Sequence, residues 1–154
     1  MINLWFRFWW YCLVITTFGV AIFGLTLIIF PDFMQSFFNG IFFHTSQVQT
    51  TFSEAANSYI KFVHGVLGAV MLGWSVIIFL VLLGSFRRVE GEAWWTITAS
   101  IFIWLIVDSS FSISTGFWQN AVLNLIFFVC FIIPLAATYR DFFKANIQKI
   151  NVKN

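Results

Sequence analysis

The chain has 154 residues, of which 60% are hydrophobic, 21% aromatic and only 9% charged. Globular domains have roughly 25% charged residues, so this composition excludes an ordinary water-soluble domain and indicates a membrane protein. The formal net charge is +2. Anionic lipid headgroups and membrane orientation explain the basic residues better than a nucleic-acid partner does.

Four apolar stretches divide the chain, and each is close to the roughly 20 residues that a helix needs to cross a bilayer core. They cover residues 9–30, 57–84, 93–113 and 119–139. We therefore predict an all-α integral membrane protein, a single domain of residues 1–154 in which four transmembrane helices form a bundle. Residues 31–56 are then a loop and residues 140–154 a basic tail.

The placement of the basic residues predicts the orientation of the chain. Only Lys61 lies on one side of the spans, whereas the other side has Arg7, Arg87, Arg88, Arg140, Lys144, Lys149 and Lys153. Cytoplasmic segments carry an excess of Lys and Arg. We therefore predict that both termini, the 84–92 loop and the 140–154 tail are cytoplasmic, that the 31–56 loop faces outward, and that the membrane is a bacterial inner membrane.

The segment after Pro31 predicts a further short helix. Between residues 32 and 43, phenylalanines recur at helical spacing, with polar residues between them. Such a pattern is typical of a helix that lies flat in the outer membrane interface, where it would partly cover the outer end of the bundle. An irregular aromatic loop folded onto the helices is the alternative.

The third span contains an acidic residue near its outer end. The apolar run of residues 94–107 is followed at once by Asp108. An acid inside a membrane helix costs about 2.5–3.5 kcal/mol on insertion scales unless another group pairs with it. Asp108 shares one helical stripe with Ser112, four residues later. The partner of Asp108 is therefore the main functional question that the sequence raises.

Orientation gathers the polar residues of three spans into one layer. The second and fourth spans run inward and the third runs outward, so their outer ends lie at about the same depth. We predict that the polar residues of this outer-leaflet layer form a ligand-binding site: Lys61, His64, Asp108, Ser112, Asn120 and Asn124.

Within this layer, an ion pair between Asp108 and Lys61 is the most favourable arrangement, because each charge is otherwise uncompensated in a low dielectric. His64, one turn deeper than Lys61, is placed to share the carboxylate or to titrate near neutral pH. Two interpretations remain open. The layer is either interhelical packing, where polar contacts average about 0.6 kcal/mol, or the lining of a pocket for the head of an amphiphile.

The sequence also resembles a known family. A first helix that ends at Pro31, a second that opens with Lys61 and continues into His64-Gly65-x-x-Gly68, and a third with a polar outer end resemble the small bacterial four-helix membrane proteins grouped as DoxX-like. The resemblance extends over all four spans in their number and arrangement, and Lys61 to Gly68 is its only sequence motif. Some members are linked to quinone-dependent oxidation of sulfur compounds, so the resemblance implies a membrane subunit near a quinone.

The sequence thus predicts a non-enzymatic accessory or small-amphiphile-binding subunit, with the bilayer and either a larger membrane complex or a second copy of the chain as partners. No catalytic or metal site is expected, because the serines after Asp108 lack a nucleophile elbow and His44 and His64 lack a haem or metal spacing. No cofactor is expected apart from a quinone or lipid. The alternative is a quinone-linked redox or proton-coupled transport component in which Asp108 and His64 move protons.

Overall fold

The computed structural model describes residues 3–43 and 52–153, and it describes side chains as far as residue 143. These residues form five α-helices: α1 (Leu4–Ile29), α2 (Pro31–Phe43), α3 (Glu54–Val81), α4 (Gly91–Ser114) and α5 (Trp118–Lys153). Helix α3 continues into a π-helical turn at Leu82–Phe86. The described residues contain no strand, so the predicted all-α fold is confirmed.

Four helical segments are long and apolar enough to cross a membrane: Leu4–Ile29, Glu54–Phe86, Gly91–Ser114 and Trp118–Phe143. They coincide with the four predicted spans, and the first begins earlier because the aromatic residues around Trp5 are also helical. The chain is therefore built as a multi-pass membrane protein. Its predicted orientation is taken up under the proposed function.

Helix α2 fills part of the predicted outward loop, so the alternative of an irregular aromatic segment is wrong for residues 31–43. Pro31 stands at its first position, where a missing N–H costs nothing and the fixed φ suits a helix. Residues 44–51, including His44, lie outside the described part of the chain. The predicted position of α2 in the outer interface stays a prediction.

The chain separates into two compact units. The terminal unit contains the described residues of Met1–Thr17 and Ile77–Asn154, and the central unit contains those of Phe18–Val76. The boundary falls within α1 and α3, so each of these helices contributes to both units. The single domain expected from the sequence stays a prediction.

Aromatic packing forms the core of the terminal unit. The buried rings of Phe6, Phe86 and Phe142 lie with their centroids 4.7–5.9 Å apart. Indole N–H groups also donate to main-chain carbonyl oxygens across this unit, from Trp5 to Ala137 (3.2 Å), from Trp10 to Leu82 (2.8 Å) and from Trp94 to Leu135 (2.8 Å). A buried indole N–H usually needs a hydrogen-bond partner within the protein. These hydrogen bonds therefore fix how the helices of the unit meet.

Two glycines set the contact between α1 and α3 in the central unit. A β-carbon on Gly24 would lie 2.9 Å from the carbonyl oxygen of Gly68, and a β-carbon on Gly68 would clash with the carbonyl of Gly24. Small residues allow this close approach of membrane helices. Gly65, three residues earlier on α3, instead has open space where a β-carbon would lie.

We expect Gly68→Ala to lower the free energy of unfolding by about 1–3 kcal/mol, because the two backbones must move apart. Gly65→Ala is the matched control, and it should keep or raise stability because Ala favours a helix by about 1 kcal/mol over Gly. Thermal unfolding of the purified variants in detergent, followed by circular dichroism, measures both. Equal destabilisation by the two substitutions would contradict this packing.

Candidate polar site at the helix ends

The six residues predicted to form the site divide between the two units. Lys61 and His64 belong to the central unit. The other four belong to the terminal unit: Asp108, Ser112, Asn120 and Asn124. The predicted ion pair between Lys61 and Asp108 joins residues of different units and stays a prediction.

In the terminal unit, Asp108 has hydrogen-bond partners on α4 and α5. Its Oδ1 accepts from Ser112 Oγ at 3.2 Å and from Asn120 Nδ2 at 3.1 Å. Asn120 Nδ2 also donates to Ser112 Oγ at 2.9 Å. The three side chains thus close a small network between two antiparallel helices, in which neutral donors hold the carboxylate.

The turn between α4 and α5 explains why these residues meet. Asp108 and Ser112 are one helical turn apart and share a face of α4. Gly116 adopts a φ of +86°, a left-handed conformation that suits glycine, and the chain reverses there. Asn120, in the first turn of α5, then lies opposite Ser112. Three of the six predicted site residues therefore lie together.

Asn124 has a partner outside the six residues predicted to form the site. Its Nδ2 donates to Ser109 Oγ at 3.4 Å, and its side chain is buried. Asn124 lies one turn beyond Asn120 on α5, and Ser109 lies beside Asp108 on α4. The residue pair therefore forms a second, longer link between the two helices instead of part of the Asp108 network.

In the central unit, Lys61 pairs with an acid that sequence reasoning did not consider. Its Nζ lies 2.5 Å from Asp32 Oδ1, and the two side chains are 40% and 75% exposed. Exposed pairs of this kind contribute about 0–1 kcal/mol. Asp32 stands in the first turn of α2, outside the four predicted spans. The sequence gives no sign that an acid in that position pairs with Lys61, because the argument from membrane burial applies only to Asp108.

Helices α2 and α3 bury hydrogen-bonding atoms that the described residues do not satisfy. Gln35 and Asn39, one turn apart on α2, are only 1% and 4% exposed. Gln35 Nε2 donates to Asn57 Oδ1 at 2.7 Å. Gln35 Oε1, Asn39 Nδ2 and His64 Nδ1 are buried without a partner in the described part of the chain.

These atoms are unusual in the central unit because they are buried and polar but lack a hydrogen-bond partner among the described residues. Leaving a buried donor or acceptor unsatisfied costs about 1–3 kcal/mol, and such groups in a folded protein usually bind water or a ligand. His64 on α3 packs against α2 through its stacking on Phe38, with ring centroids 5.5 Å apart. The arrangement can offer both donors and acceptors to a polar molecule.

Sequence reasoning predicted His64 here but missed Gln35, Asn39 and Asn57. Gln35 and Asn39 could have been identified from their spacing of four residues in a segment rich in phenylalanine. That spacing puts two carboxamides on one face of a helix. Their burial depends on how α2 packs, which the spacing does not reveal.

The described residues contain no group of three or more His, Cys, Asp and Glu side chains that could hold a metal ion. Comparison with protein-family models, curated proteins and solved structures gives no match. The relationship to DoxX-like proteins therefore stays a prediction.

The network between α4 and α5 can be tested with a double-mutant cycle. We expect Asp108→Ala and Asn120→Ala to show a coupling free energy of about 0.6 kcal/mol, the average for polar contacts between membrane helices, and no more than about 1.7 kcal/mol, the largest such value. The cycle of Asp108→Ala with Asn124→Ala is the control and should be close to additive, because Asn124 bonds to Ser109. Unfolding in detergent measures each variant. Additivity in the Asp108–Asn120 cycle would contradict the network.

Proposed function

We propose that this protein is a non-enzymatic accessory subunit of a bacterial inner membrane that binds the polar head of a small amphiphile, a lipid or a quinone. The observation that carries the proposal is the set of buried, unpartnered atoms on α2 and α3: Gln35 Oε1, Asn39 Nδ2 and His64 Nδ1. A carbonyl or hydroxyl head would accept from the carboxamide N–H, and a hydroxyl would also donate to the carboxamide oxygen.

The outer face of α2 supports an amphiphile over a fully polar ligand. Phe33 and Phe37 are 64% and 43% exposed, while Gln35 and Asn39 are buried on the same helix. This is the reverse of a helix on a water-soluble protein and suits apolar surroundings. In the proposed complex the head lies against the carboxamides and the tail runs along the phenylalanines.

Lys61 supplies the cation beside this site. Its pair with Asp32 is exposed and contributes little to stability, so a ligand with an anionic head can replace Asp32 at small cost. Lys61 also lies on the side of the spans that has few basic residues, and the proposed site therefore opens to the outer leaflet.

The terminal-unit residues take a different role in this proposal. The hydrogen bonds of Asp108, Ser112 and Asn120 to one another support the packing interpretation for those residues. The unpartnered atoms of Asn39 and His64 support the binding interpretation for α2 and α3. The centre of the proposed ligand site thus moves from Asp108 to Asn39 and His64, with Lys61 kept as its charged member.

Asn39→Leu tests this proposal, because leucine has a similar volume and no hydrogen-bonding group. We expect the substitution to raise the free energy of unfolding of lipid-stripped protein by about 1–3 kcal/mol, since it removes a buried unsatisfied N–H group. We also expect the wild-type protein, but not this variant, to retain an amphiphile through purification. Mass spectrometry of the organic extract measures the retention.

Ser36→Ala is the matched control on the same helix, because the Ser36 hydroxyl is already bonded to the Asp32 carbonyl at 3.0 Å. It should leave amphiphile retention unchanged. Two results would contradict the proposal. One is a wild-type extract without an amphiphile, and the other is an Asn39→Leu variant that is less stable and retains the same molecules as the wild type.

A further inference from the structure

A separate feature lies in the terminal unit, where α1 begins and the π-helical turn ends α3. Five residues line an open groove there: Phe6, Arg7, Trp10, Tyr11 and Arg87. Two of them are arginines from segments far apart in the sequence, and the other three are aromatic. This groove shares no residue with the proposed amphiphile site, so the two can be tested independently.

The aromatic part of the groove is held firmly. Phe6 is buried and packs against Phe86 and Phe142, which fixes the floor. The indole N–H of Trp10 donates to the carbonyl oxygen of Leu82 at 2.8 Å, within the π-helical turn. The wall formed by Trp10 is therefore tied to the main chain that carries Arg87, and the groove is preformed.

The arginines give the groove its positive charge. The guanidinium carbon of Arg87 lies 5.5 Å from the centre of the Trp10 ring, a cation–π distance. Among the described residues, neither Arg7 nor Arg87 makes an ion pair with a carboxylate. Arg88, next in the chain, differs because its Nε donates to Glu90 at 2.7 Å. Within the described part of the chain, the charge that lines the groove is therefore not neutralised by a carboxylate and can bind an anion.

We propose that this groove binds the phosphate of an anionic phospholipid. Guanidinium groups bind phosphate oxygens through paired hydrogen bonds. Trp and Tyr are the residues that sit at the level of lipid headgroups. The groove lies at the ends of the spans Leu4–Ile29 and Glu54–Phe86, which places it at that level. The predicted orientation puts it in the cytoplasmic leaflet, where anionic lipids concentrate.

Native mass spectrometry of the detergent-solubilised protein, titrated with phosphatidylglycerol or phosphatidylcholine, tests the assignment. We expect phosphatidylglycerol to bind more tightly than phosphatidylcholine. Arg7→Gln and Arg87→Gln should each weaken phosphatidylglycerol binding about tenfold, the effect of losing one hydrogen bond to a charged group. Arg88→Gln is the matched control. It removes the same charge from the same turn but should leave the binding unchanged.

Three outcomes would overturn the assignment. Equal binding of the two lipids would show that the anionic head is not recognised. A loss in Arg88→Gln as large as that in Arg87→Gln would show that overall surface charge is responsible. Inorganic phosphate that binds as tightly as phosphatidylglycerol would point to a free anion instead of a lipid. Arg7 is exposed at the start of α1, so Arg7→Gln keeps the test decisive if Arg87→Gln fails to fold.

Discussion

Inside a bilayer, hydrocarbon offers no partner to a polar group, so the protein must satisfy its own hydrogen-bonding atoms. Much of the described structure follows from this constraint. Asp108 accepts a hydroxyl hydrogen bond from Ser112 on its own helix and an amide hydrogen bond from the start of α5. At the helix ends, Trp10 and Trp94 donate their indole N–H groups to main-chain carbonyls of other segments. Buried atoms without a partner in the described part of the chain are exceptions to this constraint, and both helices of the α2–α3 pair carry them, on Asn39 and His64. A molecule from outside the chain can satisfy such atoms.

The four long apolar helices and the grouping of Asp108 with Ser112 were predictable because they depend on local properties. Length and hydropathy define a span, and a spacing of four residues defines a helix face. Asn120 could be added because a short turn brings the start of the next helix opposite the end of the previous one. The partner of Lys61 was not predictable in the same way. Asp32 reaches it only because α2 is a helix that packs beside α3, and that packing depends on contacts across the whole central unit.

The same reasoning explains why the buried carboxamides and the arginine groove were missed. In sequence, Asn39 belongs to an amphipathic pattern whose phenylalanines are predicted to lie in the membrane interface, and nothing in that pattern indicates that Gln35 and Asn39 are buried within the protein. In lipid, the usual link between polarity and exposure is lost. Arg7 and Arg87 are eighty residues apart, and the groove that they share depends on the contact of Trp10 with the π-helical turn. Residue spacing does not predict where an α-helix changes to a π-helical turn.

Both proposals rest on the predicted topology, in which the α4–α5 turn is outside and the α3–α4 turn is inside, so the decisive measurement is the orientation of the helices in the membrane. Single cysteines at Thr115 and Glu92, both exposed, can be labelled in intact spheroplasts after the free cysteines Cys12 and Cys130 are replaced by alanine. The predicted topology requires a membrane-impermeant maleimide to label the Thr115→Cys protein directly and the Glu92→Cys protein only after the membrane is permeabilised. The reverse pattern of labelling would contradict it.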